Sequence, residues 1–188
     1  MGNYYISDLH LGHQRALWFD KRPFKTLEEQ DTKIICNINN FVTPQDNLYI
    51  LGDLSWYDPH KTAELLKQIN CKNRFLIVGN HDRFVKNPEC KKLFQGIYDL
   101  KMIEDEGRKV VLCHYPMAVW NLSHRGSYHL YGHVHDNIND DGVGLTHVIL
   151  SHEEMKNAYN VGCMLPYINY IPRTLNYIIK KVNKKCVR

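Results

Sequence analysis

A chain of 188 residues, 44% of them apolar and 23% charged, can bury a full hydrophobic core, which excludes bulk disorder. No apolar run approaches the ~18 residues that cross a bilayer, so a helical membrane protein does not fit either. The formal charge of +4 admits an anionic ligand without by itself indicating nucleic acid.

Residues 1–188 read as one domain, with no repeat, linker or low-complexity stretch. Asn3–Ser7 is a short apolar run and predicts a strand. The start of the chain lacks the basic and apolar regions of a secretory leader, and Ile6 stands where a myristoylation signal needs Ser or Thr. Thr26-Leu27-Glu28-Glu29 has the form of a capping box. It opens a helix whose apolar positions are Ile34, Ile35, Ile38, Phe41 and Val42. Asn47–Leu51 predicts a second strand. Asp58-Pro59 places an N-cap before a proline at the first helical position, and the helix that follows buries Leu65, Leu66 and Ile69.

Arg74–Val78 is a continuous apolar run suited to a strand covered on both faces. Asn87-Pro88-Glu89 opens a short helix by the same cap logic. Leu100–Ile103 and Lys109–Cys113 flank Glu106-Gly107 as a hairpin, and Tyr128–Tyr131 is a further strand. Asn137–Gly144, rich in Asn, Asp and Gly, is a loop. Ala158–Val161 is a late strand, and Thr174 caps a final helix to about Asn183. The basic run Lys180–Arg188 reads as a solvated helix face. Strands alternating with helices, then mainly strands, indicate an α/β protein with a mixed sheet.

The six cysteines (Cys36, Cys71, Cys90, Cys113, Cys163 and Cys186) are scattered and form no Cys-x-x-Cys pair. This argues against a thiolate zinc site or a disulfide framework and points to reduced thiols in the cytoplasm. The eleven histidines are the unusual feature. Polar residues follow the strands in a pattern: Asp8-Leu9-His10, Gly52-Asp53, Gly79-Asn80-His81-Asp82, His114, and Gly132-His133-Val134-His135. In α/β sheets the C-terminal strand ends line the ligand crevice, so these residues are delivered to one edge. In extended chain Asp8 and His10 point to the same side, as do His133 and His135. Gly52, Gly79 and Gly132 suit tight turns and close backbone approach. Imidazole, carboxylate and amide donors suit Mn, Fe, Zn, Co or Ni rather than Ca or a structural zinc.

The ordered series D-x-H, G-D, G-N-H-D, H and G-H-x-H, running from Asp8 to His135, resembles the calcineurin-like metallophosphoesterase superfamily. Asp8-Leu9-His10-Leu11-Gly12-His13 and Phe19-Asp20-Lys21-Arg22-Pro23-Phe24 are similar to its small single-domain bacterial and phage branch. The resemblance implies a four-layer α/β/β/α sandwich with two mixed β-sheets. It implies two divalent transition-metal ions, with manganese the first choice. Asp8, His10, Asp53 and His135 would hold one, and Asp53, Asn80, His114 and His133 the other. It implies phosphoester hydrolysis, by a phosphodiesterase or phosphatase, through in-line attack of a hydroxide bridging the ions. His81 would act as general acid or transition-state stabiliser, with Asp82 orienting it.

His13, Arg22 and Arg83 are candidate substrate contacts, the arginines as phosphate forks. Trp18, Phe19, Trp56, Tyr57, Tyr115 and Trp120 lie near the motif segments and either stack on a base or pack the loops. Asn160 reads as a strand-end turn residue. His60, His124, His129, His147 and His152 read as structural or solvated. Gly52-Asp53-Leu54-Ser55-Trp56 has no second acidic or histidine residue before Asp58, unlike many relatives, so their substrate preferences do not transfer. The expected partner is a phosphoester, including nucleotides and nucleic-acid ends, with diesters favoured. The alternatives are a non-catalytic interaction scaffold of the same fold and a nucleic-acid end-processing nuclease acting with a partner.

Overall fold

The computed structural model describes residues 1–135, 150 and 152–183. The Asn137–Gly144 loop, His147 and the basic end beyond Asn183 lie outside the described residues.

Two four-stranded sheets form the frame. In the first, β1 (Asn3–Ile6), β2 (Asn47–Leu51), β3 (Asn73–Ile77) and β4 (Gly96–Tyr98) lie side by side in that order. All of these neighbours pair parallel, as strands joined through helical crossovers do. The second sheet orders β5 (Leu100–Asp105), β6 (Arg108–Cys113), β7 (Tyr128–Tyr131) and β8 (Ala158–Asn160). Here β5 and β6 are antiparallel and the other pairings parallel. The second sheet is thus mixed as expected. The first is parallel throughout, and its antiparallel contact among the described residues is an isolated bridge between Tyr5 and Arg173.

Strand alternation assigns the faces. On one face of the first sheet the rings of Tyr5, Tyr49 and Phe75 stack across β1, β2 and β3. That face meets the second sheet: the Tyr5 hydroxyl donates to Asp105 Oδ2 at 2.9 Å, and Lys101 Nζ sits over the Phe75 and Tyr98 rings. Ile6, Leu48, Ile50 and Leu76 point the other way, into one apolar cluster that also takes in Ile34, Ile38, Leu66, Leu112 and Leu130. The apolar core therefore draws on both sheets.

The described helices include α1 (Ala16–Phe19), α2 (Leu27–Phe41), α3 (Pro59–Lys67), α4 (Pro88–Lys91) and α5 (Leu175–Asn183). The Thr26 hydroxyl accepts from the Glu29 amide at 3.1 Å, and Glu29 accepts in return from the Lys25 amide at 2.8 Å. Asp58 and Asn87 cap α3 and α4 as expected, each ahead of a proline. Phe41 departs from expectation: it is exposed, with the Arg173 guanidinium over its ring. The hairpin turn has Glu106 at φ 51° and Gly107 at φ 77°, the pair of positive angles that a tight two-residue hairpin needs. Strand β4 and helix α1 were not anticipated, being only three and four residues long.

At its exit β1 leaves its own sheet. The Ser7 amide donates to Val161 O and the Cys163 amide to Ser7 O, each at 2.9 Å. The end of β1 is thereby tied to the segment after β8, and the exits of both sheets share one edge.

Candidate metal centre

The exits of β1, β2, β3, β6 and β7 carry the motif residues. They do so on bent rather than extended chain. Asp8, His10, Asp53, His133 and His135 have φ of 56°, 49°, 52°, 70° and 36°. Asp and His tolerate this left-handed region better than most residues, yet each such position costs ~1–3 kcal/mol of strain. The extended-chain argument for the His10 and His135 pairs is therefore corrected: left-handed turns, not strand alternation, aim these side chains. Glycine serves the same crowding. A Cβ on Gly52 (φ +84°) would lie 2.3 Å from His114 Nδ1, and one on Gly132 would lie 2.5 Å from Asp8 Oδ2.

Among the described residues two overlapping donor groups result: Asp8, His10 and His135, and Asp8, Asp53 and His114, with the donor atoms of each within 4.8 Å of one another. His10 Nε2 is 3.3 Å from His135 Nε2. Asp53 Oδ2 lies 3.8 Å from His10 Nε2 and 3.6 Å from His114 Nε2, so it stands between the two groups. Asn80 Oδ1 is 3.1 Å from His114 Nε2, and the His133 and His114 ring centres are 5.1 Å apart.

In His10, His114 and His135, Nδ1 faces a partner and Nε2 faces the other donors. His114 Nδ1 donates to Leu51 O at 2.8 Å, His135 Nδ1 pairs with Asp20 Oδ1 at 2.7 Å, and His10 Nδ1 lies 3.3 Å from His13 Nδ1. A carbonyl only accepts, so His114 carries a proton on Nδ1 and turns Nε2 inward. Burial, then Arg22 and the neighbouring imidazoles, hold His10 far below the usual histidine range. Burial and His114 lower His133. Burial would lower His135 too, but the Asp20 hydrogen bond and the charges of Asp8 and Asp20 outweigh it and raise it. With His10 and His133 held below the usual histidine range beside two buried carboxylates, these side chains form a donor set that fits divalent cations.

A sequence model of the family described as calcineurin-like phosphoesterase matches residues 4–156. The chain belongs to the calcineurin-like phosphoesterase family. It is 33% identical over 188 residues to the uncharacterized protein MJ1445 of Methanocaldococcus jannaschii, covering 98% of this chain and 94% of that one. The crystal structure of protein AQ665 from Aquifex aeolicus shares the fold, with a TM-score of 0.67 at 24% identity over 98% of each chain. A weaker likeness, with a TM-score of 0.37 at 15% identity, is to a predicted phosphoesterase from Streptococcus pneumoniae TIGR4; it covers 70% of this chain and 61% of that one. Family membership supports metal-dependent hydrolysis of phosphoesters.

Within this calcineurin-like phosphoesterase several sequence expectations change. Arg22 is not a substrate contact. It is buried, and its guanidinium donates to Asp20 Oδ2, Leu9 O, Gln30 Oε1 and Asp8 O at 2.8–3.0 Å. Asp82 does not orient the His81 ring. Its carboxylate accepts from the amides of Asp53, Leu54 and Gly79 at 2.8–2.9 Å, clamping the β2 exit to the β3 exit. Burial pushes Asp82 up to about 7, against the downward pull of those amides. The His81 ring lies against Trp56 instead, with centres 4.2 Å apart, while its amide donates to Asp53 Oδ1 at 3.0 Å.

His13 joins the site through His10 and stacks on Trp56 at 3.9 Å between ring centres. Phe19 packs edge-on against His135, and Tyr115 against His133. Trp56 and Tyr115 are 46% and 43% exposed, so they form a rim open to solvent. Trp120 is remote: its indole N–H donates to Ser127 and its ring packs with Val111 and Met155. Tyr57 also packs a loop, its ring lying where a Gly12 side chain would stand. Trp18 and Arg83 are exposed. Asn160 makes the expected turn, accepting from the Gly162 amide at 2.8 Å. Sequence reasoning missed Asp20. Its only signal was its place within the Phe19–Phe24 motif, without an assigned task.

Proposed function

We propose that the chain is a dinuclear metal-dependent phosphoester hydrolase. Asp8, His10, Asp53 and His135 would hold one divalent ion, and Asp53, Asn80, His114 and His133 the other. The observation that carries this reading is the position of Asp53 Oδ2, within 3.8 Å of donor nitrogens from both groups. Ions bound there supply Lewis-acid polarisation of a phosphoryl oxygen and activation of water. The protein's own part is to fix Asp8, His10, Asp53, His133 and His135 on strained turns and to hold His10 and His133 below the usual histidine range. His81 lies at the open side of the donor cluster, its ring centre 6.0 Å from that of His10. There its imidazole can donate a proton to a leaving alkoxide.

The half-exposed Trp56 and Tyr115 favour a substrate with a flat ester group, which supports phosphodiesters of nucleotides or nucleic-acid ends over small aliphatic phosphates. Among the described residues Cys36, Cys71, Cys90, Cys113 and Cys163 are free thiols, which supports a reducing, cytoplasmic setting. Manganese is the first ion to try, with iron, zinc, cobalt and nickel after it. Purified protein loaded with Mn²⁺ should hydrolyse an aryl phosphodiester faster than the matching monoester, and Asp53→Ala should abolish both reactions. Hydrolysis untouched by chelator and by Asp53→Ala would overturn the reading.

A further inference from the structure

Asp20 and Arg22 form an ion pair with side chains about 1% and 0% exposed, Asp20 Oδ2 lying 2.8 Å from Nη2. A buried pair of this kind gives little net stability, because desolvation offsets the attraction. Its connections are more informative. Asp20 Oδ1 meets His135 Nδ1 across 115 residues of sequence. Every N–H of Arg22 is engaged: Nε and Nη2 by Asp20, Nη2 also by Asp8 O, and Nη1 by Leu9 O and Gln30 Oε1. The guanidinium therefore grips the backbone of the Asp8–His10 turn, and the carboxylate it holds grips His135.

We infer that Asp20 is a positioning residue of the metal centre: it keeps the proton of His135 on Nδ1 and turns Nε2 toward Asp8 and His10, while Arg22 locks it to the β1 exit. This rests on the metal-site reading above. The three Nδ1 partners differ in kind, namely a carbonyl for His114, an imidazole for His10 and a carboxylate for His135. A carboxylate raises the basicity of a ligating imidazole most. The ion held by Asp8, His10 and His135 is thus the one that responds to Asp20.

The test is a titration of metal-free wild type, Asp20→Asn, Asp20→Ala and His135→Ala with Co²⁺, following the visible absorption of the bound ion and the melting temperature without metal. Asp20→Asn is nearly isosteric and should weaken one of the two Co²⁺ sites by ~10–100-fold and change its spectrum, leaving the other site alone. Asp20→Ala should weaken the same site at least as much. If both Asp20 variants lower only the melting temperature while both affinities and the spectrum stay as in wild type, the pair is merely structural and the inference is overturned. If wild type binds no Co²⁺, the metal-site reading itself fails, and His135→Ala then matches wild type. Should neither Asp20 variant fold, nitrogen NMR of Zn²⁺-loaded wild type decides. His135 protonated on Nδ1 is expected, and protonation on Nε2 overturns the inference.

Discussion

Two buried histidines in this molecule, His129 and His10, show what separates a structural imidazole from one in a candidate metal centre. His129 is fully buried, and the backbone satisfies both of its nitrogens: Nδ1–H donates to Val111 O at 3.1 Å, and Nε2 accepts from the Met117 amide at 3.2 Å. His10 is almost as buried, but its nitrogens face other histidines, His13 on one side and His135 on the other. Burial keeps both rings neutral. What differs is what Nε2 faces. In His129 it accepts from an amide that fixes the fold. His10 turns Nε2 toward Asp53 and His135 instead, an arrangement that only a cation or shared protons make favourable. Burial alone does not separate the two rings; the partners of Nε2 do.

Exchanging each ring for alanine breaks the comparison most sharply. His10→Ala should abolish metal-dependent hydrolysis while leaving the melting temperature of the metal-free protein nearly unchanged, because strain and crowded donors are relieved there. His129→Ala should do the reverse. It leaves Val111 O and the Met117 amide without partners and opens a cavity, costing ~3–5 kcal/mol in urea unfolding at constant metal affinity. A large loss of stability in His10→Ala with metal binding intact would invert the lesson. His81 lies between these cases, beside the donors but outside them. His81→Ala should lower kcat by ~10²–10⁴-fold without changing metal content, as measured by steady-state kinetics and metal analysis.

Saturating metal extends the contrast to the wild type. An ion that binds only the folded chain stabilises it by ~2.7 kcal/mol at about 100 times its dissociation constant. Thermal unfolding with Mn²⁺ should show this gain in wild type and in any His129 variant that folds. It should be reduced in His10→Ala, which keeps the donors proposed for the second ion, and largely lost in Asp53→Ala, which removes the shared donor.

The candidate ligand residues were legible in the sequence because their identities follow apolar runs that form strands. The ends of β1, β2, β3, β6 and β7 are set by where those runs stop. The capping residues Thr26, Asp58 and Asn87 were legible for a similar reason, since a cap is a local hydrogen bond between near neighbours. Arg22 was misread because a guanidinium near a phosphate site and one beneath the loop look alike in sequence. Only tertiary packing showed its donors turned onto Leu9 O and Asp8 O. Asp82 was misread for the same reason: the clamp it makes on Asp53 and Leu54 joins the exits of two strands. The left-handed turns at Asp8, His10, Asp53, His133 and His135 carry no glycine of their own, so no residue identity announced them.

The smallest predicted effect is on pH dependence, and it isolates His129 from the ligands. Burial holds the folded-state value of His129 below its unfolded value, outweighing the backbone hydrogen bonds with Val111 and Tyr115. The unfolded chain, with histidine near about 6.5, therefore binds the proton first. Stability from His129 is fully present above that pH and is lost as pH falls toward the lowered folded value, because unfolding then takes up a proton. With Mn²⁺ saturating at each pH, wild type should lose urea stability progressively below about pH 6.5. His129→Gln cannot titrate, so its lower stability should fall less steeply over the same range. If the two curves run parallel, protons are not reaching His129, and the acid response belongs to the ligand histidines instead.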